Sequence, residues 1–204
     1  MDAGIVIVAY GFKAHAAARE CVASARQVCD LPISIITDSL QLDGVELINY
    51  EDKSFGARWA KLNQDTLTAY EATIYLDADT QSTMDFTPPL QILNDGYDLA
   101  IAPSSNQDSA VFRHIAERER VTTYDEVGLY PPLQLQVGVM YWRRNATMTA
   151  LFEEWRAQWR RWEQQDQAAL VRAIEVVKPK IWLLGHPYND RNGEIIQHHF
   201  GKAR

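Results

Sequence analysis

Cysteine is almost absent from this sequence: among 204 residues only Cys21 and Cys29 occur. Both fall in the expected first helix, where eight residues span about 12 Å at 1.5 Å per residue, beyond the ~7 Å limit between Cα atoms for a disulfide. Two idle thiols in a reducing compartment are expected instead. Long hydrophobic runs are lacking as well. The N-terminal "MDAGIVIVAYG" holds an apolar stretch too short to span a bilayer and no basic region before it, so it reads as a strand, neither a transmembrane segment nor a signal peptide. A cytoplasmic protein is expected. Basic residues are outnumbered, 20 Lys and Arg against 27 Asp and Glu, for a net charge of -7. This argues against general affinity for nucleic acid or anionic membrane, both of which reward clustered Lys and Arg. Repeats, low-complexity tracts and linkers are also missing. With 47% hydrophobic and 23% charged residues, the chain reads as one ordinary globular domain over 1–204.

What is present is an alternation of strand and helix patterns. "GIVIVAY" reads as a first strand, "KAHAAARECVASARQVC" as an alanine-rich helix and "LPISIITDS" as a second, β-branched strand. "VELINY" offers a third strand, "GARWAKLNQDTLTAY" an amphipathic helix, and "ATIYLDAD" a fourth strand. Near-continuous apolar strands alternating with helices predict an α/β fold, an open, mostly parallel sheet covered on both faces. Ligands gather at the carboxyl ends of such strands, where "VAYG", "TDS" and "DAD" all lie. Further on, "FTPPLQILNDG" reads as a short helix, "YDLAIAPS" as a strand, "SAVFRHIAERER" as a helix and "LQLQVGVMYW" as a strand whose Gly138 suggests a close backbone approach or a bulge. In the helix expected over 146–162, Met148, Leu151, Phe152, Trp155, Trp159 and Trp162 share one face. That stripe is expected to pack on the sheet or to join a partner subunit in a homo-oligomer. "EIIQHHF" reads as a last strand.

The stretch "ATIYLDADTQS" carries the strongest chemical signal. A strand ending in D-x-D turns both carboxylates to one side, and like charges so close need a cation or a shared proton between them. Two kinds of enzyme put an apolar strand before such a pair. "YLDADT" fits the D-x-D-x-T of haloacid-dehalogenase-like phosphatases, in which Asp77 would be a nucleophile and Asp79 an acid, but here it follows two α/β units rather than opening the chain.

The second resemblance extends over four motifs in order, from Lys61 to Arg204. "AKLNQDTLTAYEATIYLDADT", "LQVGVMYW", "EQQDQAAL" and "HHFGKAR" are similar to motifs of the glycogenin-like family 8 retaining glycosyltransferases, which have the GT-A fold. The resemblance implies a Rossmann-like single-domain GT-A fold and metal-dependent transfer of a sugar, with retention, from a nucleotide-diphosphate donor, most simply UDP-linked, to an acceptor the sequence does not name. It implies that Asp77, Asp79 and His198 bind Mn²⁺ or Mg²⁺, an imidazole favouring Mn²⁺. Donor contacts fall to Tyr10, Lys61, Ala78, Gln136, Gly138, Gly201, Lys202 and Arg204, with Tyr10 against the nucleobase and the cations balancing the diphosphate. Asp166 and Gln167 would sit beside the sugar on the reacting side. By residue type alone Asp166 also suits a helix N-cap. Gln136 stands where the family has Asn, and Arg204 where it has Lys, keeping the charge. A catalytically idle nucleotide-sugar-binding protein is the remaining reading. His15, His114 and His186 receive no role.

Overall fold

The computed structural model describes residues 2–50, 52, 55–104, 112–128 and 133–203. The chain opens with β1 (Ala3–Ala9), α1 (Gly11–Arg26), β2 (Ile33–Thr37) and β3 (Glu46–Asn49), a parallel set. The helical segment that follows is broken into α2 (Gly56–Leu62) and α3 (Gln64–Leu67) rather than continuing to Tyr70. The break falls at Asn63, whose backbone leaves the helical region at φ -106° and ψ 8°, and whose side-chain amide joins its own N–H on the Trp59 carbonyl, at 2.7 and 3.1 Å. After β4 (Ala72–Asp77) come β5 (Thr80–Ser82), α4 (Leu90–Asn94) and β6 (Leu99–Pro103).

The helix expected from "SAVFRHIAERER" begins later than its pattern indicated. α5 spans Glu117–Val127, and Gly128, at φ 69°, ends it. Ser109 to Val111 lie outside the described residues. Phe112, at φ 54°, cannot be helical; it is fully buried, and its N–H donates to the Gln134 side chain at 2.8 Å. Cys29 also departs from expectation, since α1 stops at Arg26. Both thiols are free and buried, and burial pushes the Cys21 thiol up to about 12, leaving it inert.

The remaining elements are β7 (Leu135–Arg143), α6 (Ala146–Arg160), α7 (Gln167–Val177), β8 (Ile181–Leu183) and β9 (Ile196–His198). The main sheet has seven strands in the order β3-β2-β1-β4-β7-β6-β8. Every strand runs the same way except β7, which is antiparallel to both neighbours. β5 and β9 form a separate antiparallel pair beside the end of β4.

Alternation along the buried strands divides the core between the two faces. Ile5, Ile7, Ile35, Ile74 and Leu76 pack under α1, whose Ala14, Ala17 and Ala18 allow close approach. Val6, Val8, Ile36, Tyr75 and Trp142 pack under α6 and α7. Asn145 caps α6 by accepting the Met148 N–H at 2.8 Å. The apolar stripe of α6, from Met148 to Trp159, is buried against the chain's own sheet, while Trp162 lies past the helix end and is only half-buried. No described helix is long and apolar enough to cross a membrane.

One polar contact pins the helical layer. Arg172, 2% exposed, reaches Glu119 at 3.2 Å, Thr123 at 2.5 Å and the Gln158 side chain at 3.0 Å, joining α7 to α5 and α6. Removing only one partner of a buried pair leaves an uncompensated charge. Arg172→Met is therefore expected to lower stability by about 3–5 kcal/mol in urea unfolding, and Arg172→Met with Glu119→Leu to recover most of that loss.

Candidate active site

The carboxyl ends of β1 and β4 lie beside the start of β7, because the antiparallel register sets Leu76 opposite Val139. A cavity of about 470 Å³ opens at this edge of the sheet. It is lined by Tyr10 from the end of β1, Lys61 from α2, Asp77 to Asp79 from the end of β4, Gln136 and Gly138 from β7, Asp166 and Gln167 from the start of α7, and His198 with Gly201 from β9 and beyond. Sites expected from sequence positions up to 191 residues apart thus share one space.

Within it, Asp77, Asp79 and His198 each turn a ligand atom inward, all within 4.8 Å of one another. His198 Nε2 is 3.1 Å from Asp79 Oδ1 and 3.6 Å from Asp77 Oδ2. Two carboxylates facing one imidazole nitrogen call for positive charge between them, a proton or a cation. Two hard oxygens and one nitrogen could hold a divalent cation. Room for the imidazole comes from Gly138: a Cβ there would lie 2.2 Å from His198 Cε1 and 2.9 Å from Asp77 Oδ2. The close approach suggested by that glycine is therefore present. Asp79 also accepts the Gly201 N–H at 2.8 Å.

Beside this trio, Lys61 Nζ lies 3.0 Å from Asp77 Oδ1 and 3.1 Å from Asp166 Oδ2, and 4.8 Å from the centre of the Tyr75 ring. Tyr75 Oη donates to Asp77 Oδ1 at 2.7 Å. Burial alone would lower the Lys61 ammonium, but Asp166 and Asp77 outweigh it and hold it above its ordinary value. Burial likewise works against the Asp166 carboxylate, and Lys61 and Arg58 overcome it, keeping it below the usual range. Asp166 stands at the N-terminus of α7 without making a side-chain cap bond. Its carboxylate is committed to Lys61, so the capping alternative is set aside. Gln167 donates to the Gln136 side chain at 2.9 Å and accepts from Gln134 at 3.1 Å.

One expected residue of the described chain is not brought to this cavity in the same way. Lys202 donates to Glu20 at 2.5 Å and lines a neighbouring cleft of about 340 Å³ against α1. Its reach is taken by the acid of that helix. Arg204 lies outside the described residues. Conversely, Phe55, Arg58, His114 and Trp159 line the cavity although sequence patterns assigned them elsewhere or nowhere. Trp159 was legible only as part of an apolar stripe, and Arg58 only as a charge one turn before Lys61. Tyr10 lines the cavity while its hydroxyl donates to the Tyr50 carbonyl at 2.8 Å.

No known family model and no curated protein matches the chain. Solved structures do. The galactosyltransferase LgtC, solved with donor and acceptor sugar analogues, superposes with a TM-score of 0.63 at 14% identity, over 97% of this chain and 87% of LgtC. Mouse xyloside xylosyltransferase 1 gives 0.66 at 13%, over 100% of this chain and 99% of the other. The bifunctional glycosyltransferase WbbM gives 0.72 at 12%, over 98% of this chain but only 46% of WbbM. The protein has the GT-A-like fold that these glycosyltransferases share.

The environment of Asp79 makes acid stability a direct readout. Burial opposes its charge, but His198 and the Gly201 N–H overcome this and hold its carboxyl at about 2, against about 3.9 in an unfolded chain. A folded-state value below the unfolded one contributes stability above the unfolded value and loses it as pH falls through the folded one. In chelator-treated protein, Asp79→Asn is expected to cost about 2–3 kcal/mol near neutral pH. The gap from wild type should close between about pH 4 and pH 2 in thermal melts.

Proposed function

We propose that this protein is a metal-dependent glycosyltransferase that takes a sugar from a nucleotide-diphosphate donor, UDP-linked, with retention of configuration, as the family 8 resemblance implies. The observation that carries the reading is the convergence of Asp77, Asp79 and His198 on the lining of the cavity. The shared fold with LgtC and xyloside xylosyltransferase 1 supports it. The phosphatase reading of the same D-x-D leaves His198, which faces both aspartates, without a purpose.

In this reading Asp77, Asp79 and His198 hold Mn²⁺ or Mg²⁺. When bound, the ion supplies positive charge that neutralises the diphosphate leaving group. Tyr10 presents its ring to the nucleobase, at the carboxyl end of β1. Ala78 and Gly201 supply backbone surface against the diphosphate, and Gln136 offers its amide to the sugar hydroxyls. Lys61 keeps Asp77 and Asp166 at fixed separation, so that the sugar meets a carboxylate already oriented. Gln167, held between Gln134 and Gln136, presents its amide to the reacting side of the sugar.

The neighbouring histidines provide the sharpest test of the metal assignment. His198 is the last residue of β9 and is buried at 4% exposure, while His199, just past the strand, turns outward to Gln81. His198→Ala is expected to remove most Mn²⁺-dependent stabilisation by UDP in a thermal-shift titration, whereas His199→Ala should retain it. Dependence on His199 instead would withdraw the assignment.

The sugar-side role predicts a different signature. Gln167→Ala should lower the rate of UDP-sugar hydrolysis or transfer by about tenfold or more while leaving UDP affinity nearly unchanged, the mark of contacts made chiefly in the transition state. UDP binding without turnover in the wild type, on every nucleotide sugar offered, would favour an idle binder.

A further inference from the structure

Asn189 follows the short 3-10 turn His186–Tyr188 and is 1% exposed, with no motif in the sequence to single it out. Its side-chain Nδ2 donates to the Gln136 backbone carbonyl at 2.9 Å, and its Oδ1 faces His198 Nδ1 at 2.8 Å. A carbonyl can only accept, so turning the amide round would set two oxygens against each other. Oδ1 is thus what His198 Nδ1 meets, and an oxygen there requires an N–H on Nδ1. Nε2 is left as the nitrogen turned to Asp79 and Asp77.

The ring has little freedom to escape this arrangement. Gly138 closes one side at a distance no Cβ would fit, and the Phe200 ring lies against the imidazole at 4.1 Å between centres. The chain carrying the amide is tied to β9 as well: the His198 N–H donates to the Asp190 carbonyl at 2.9 Å, and Asp190 bridges Gln197.

We propose that Asn189 is a positioning residue for the candidate metal centre: it keeps a proton on His198 Nδ1 and thereby presents Nε2 to the cation. This rests on the reading of Asp77, Asp79 and His198 as a cation site. Such partners of ligating histidines commonly change metal affinity about 10- to 100-fold when removed.

The test combines imidazole ¹H–¹⁵N correlation spectra of the metal-free protein with Mn²⁺ titration in the presence of UDP. Wild type is expected to show a slowly exchanging proton on His198 Nδ1. Asn189→Leu, similar in size but without an acceptor, should lose that signal and bind Mn²⁺ about 10- to 100-fold more weakly. Asn189→Asp keeps an acceptor for Nδ1 but not the donor to Gln136. It should retain the Nδ1 proton and stay within a few-fold of wild-type affinity, a rescue that a merely structural role would not give. A wild-type proton on Nε2 alone would overturn the proposal, as would equal losses in the Leu and Asp variants or a Leu variant with unchanged affinity. If Asn189→Leu fails to fold, the wild-type spectrum and Asn189→Asp decide. An Nδ1 proton in a wild type that binds no Mn²⁺ would overturn the cation reading and the positioning role with it, whereas Mn²⁺ binding with the proton on Nε2 would remove only the role of Asn189.

Discussion

The Lys61 ammonium between Asp77 and Asp166 is the contact on which the site depends. Asp77, Asp79 and Asp166 line one cavity at one edge of the sheet, and unit charges ~4 Å apart interact by about 4 kcal/mol at an effective dielectric constant of ~20. Without a cation among them the acids would repel one another or bind protons. Lys61 is 5% exposed and touches both Asp77 and Asp166, so burial cannot discharge it. It also links three elements distant in sequence: α2, the end of β4 and the start of α7. Asp79, which Lys61 does not reach, is satisfied by His198 and the Gly201 N–H.

The reversed strand β7 is what makes these groups meet. Inserted between β4 and β6, it brings its own beginning beside the end of β4, so that Gly138 provides the flat surface on which the His198 ring rests. β5 and β9 then fold over that end as a small second sheet, carrying His198 to Asp79. The central strands are apolar on both faces, and the core is consumed by α1 on one side and by α6 and α7 on the other. Polar chemistry is left to the strand ends, as in other open α/β sheets.

Much of this was legible in the chain itself. The inner strands of the main sheet up to β7 follow from near-continuous apolar runs, and α6 from its stripe of Met148, Leu151, Phe152, Trp155 and Trp159. Local pattern failed where a single side chain overrode it. The helix is interrupted at Asn63, whose side chain and backbone N–H share the Trp59 carbonyl, and Phe112 takes a positive φ with its ring buried and its N–H held by Gln134. β5 and β8, three residues each, are too short for a periodic signal. Lys202 and Lys61 look alike in sequence, yet the first pairs with Glu20 and the second with Asp77 and Asp166.

The sequence by itself determined the layered α/β architecture and the D-x-D at a strand end, because burial on two faces and the two-residue repeat of a strand are local properties of the chain. Motif resemblance added His198, Asp166 and Gln167 to the same site. Only the tertiary structure decided that Asp166 answers Lys61 rather than capping its helix, and that the stripe of α6 packs on its own sheet. It also decided that Asn189 determines which nitrogen of His198 faces the acids. Each of these depends on what a side chain meets across tens of residues of intervening chain, where hydrogen-bond partners and buried charges are matched in space and leave no period in the sequence.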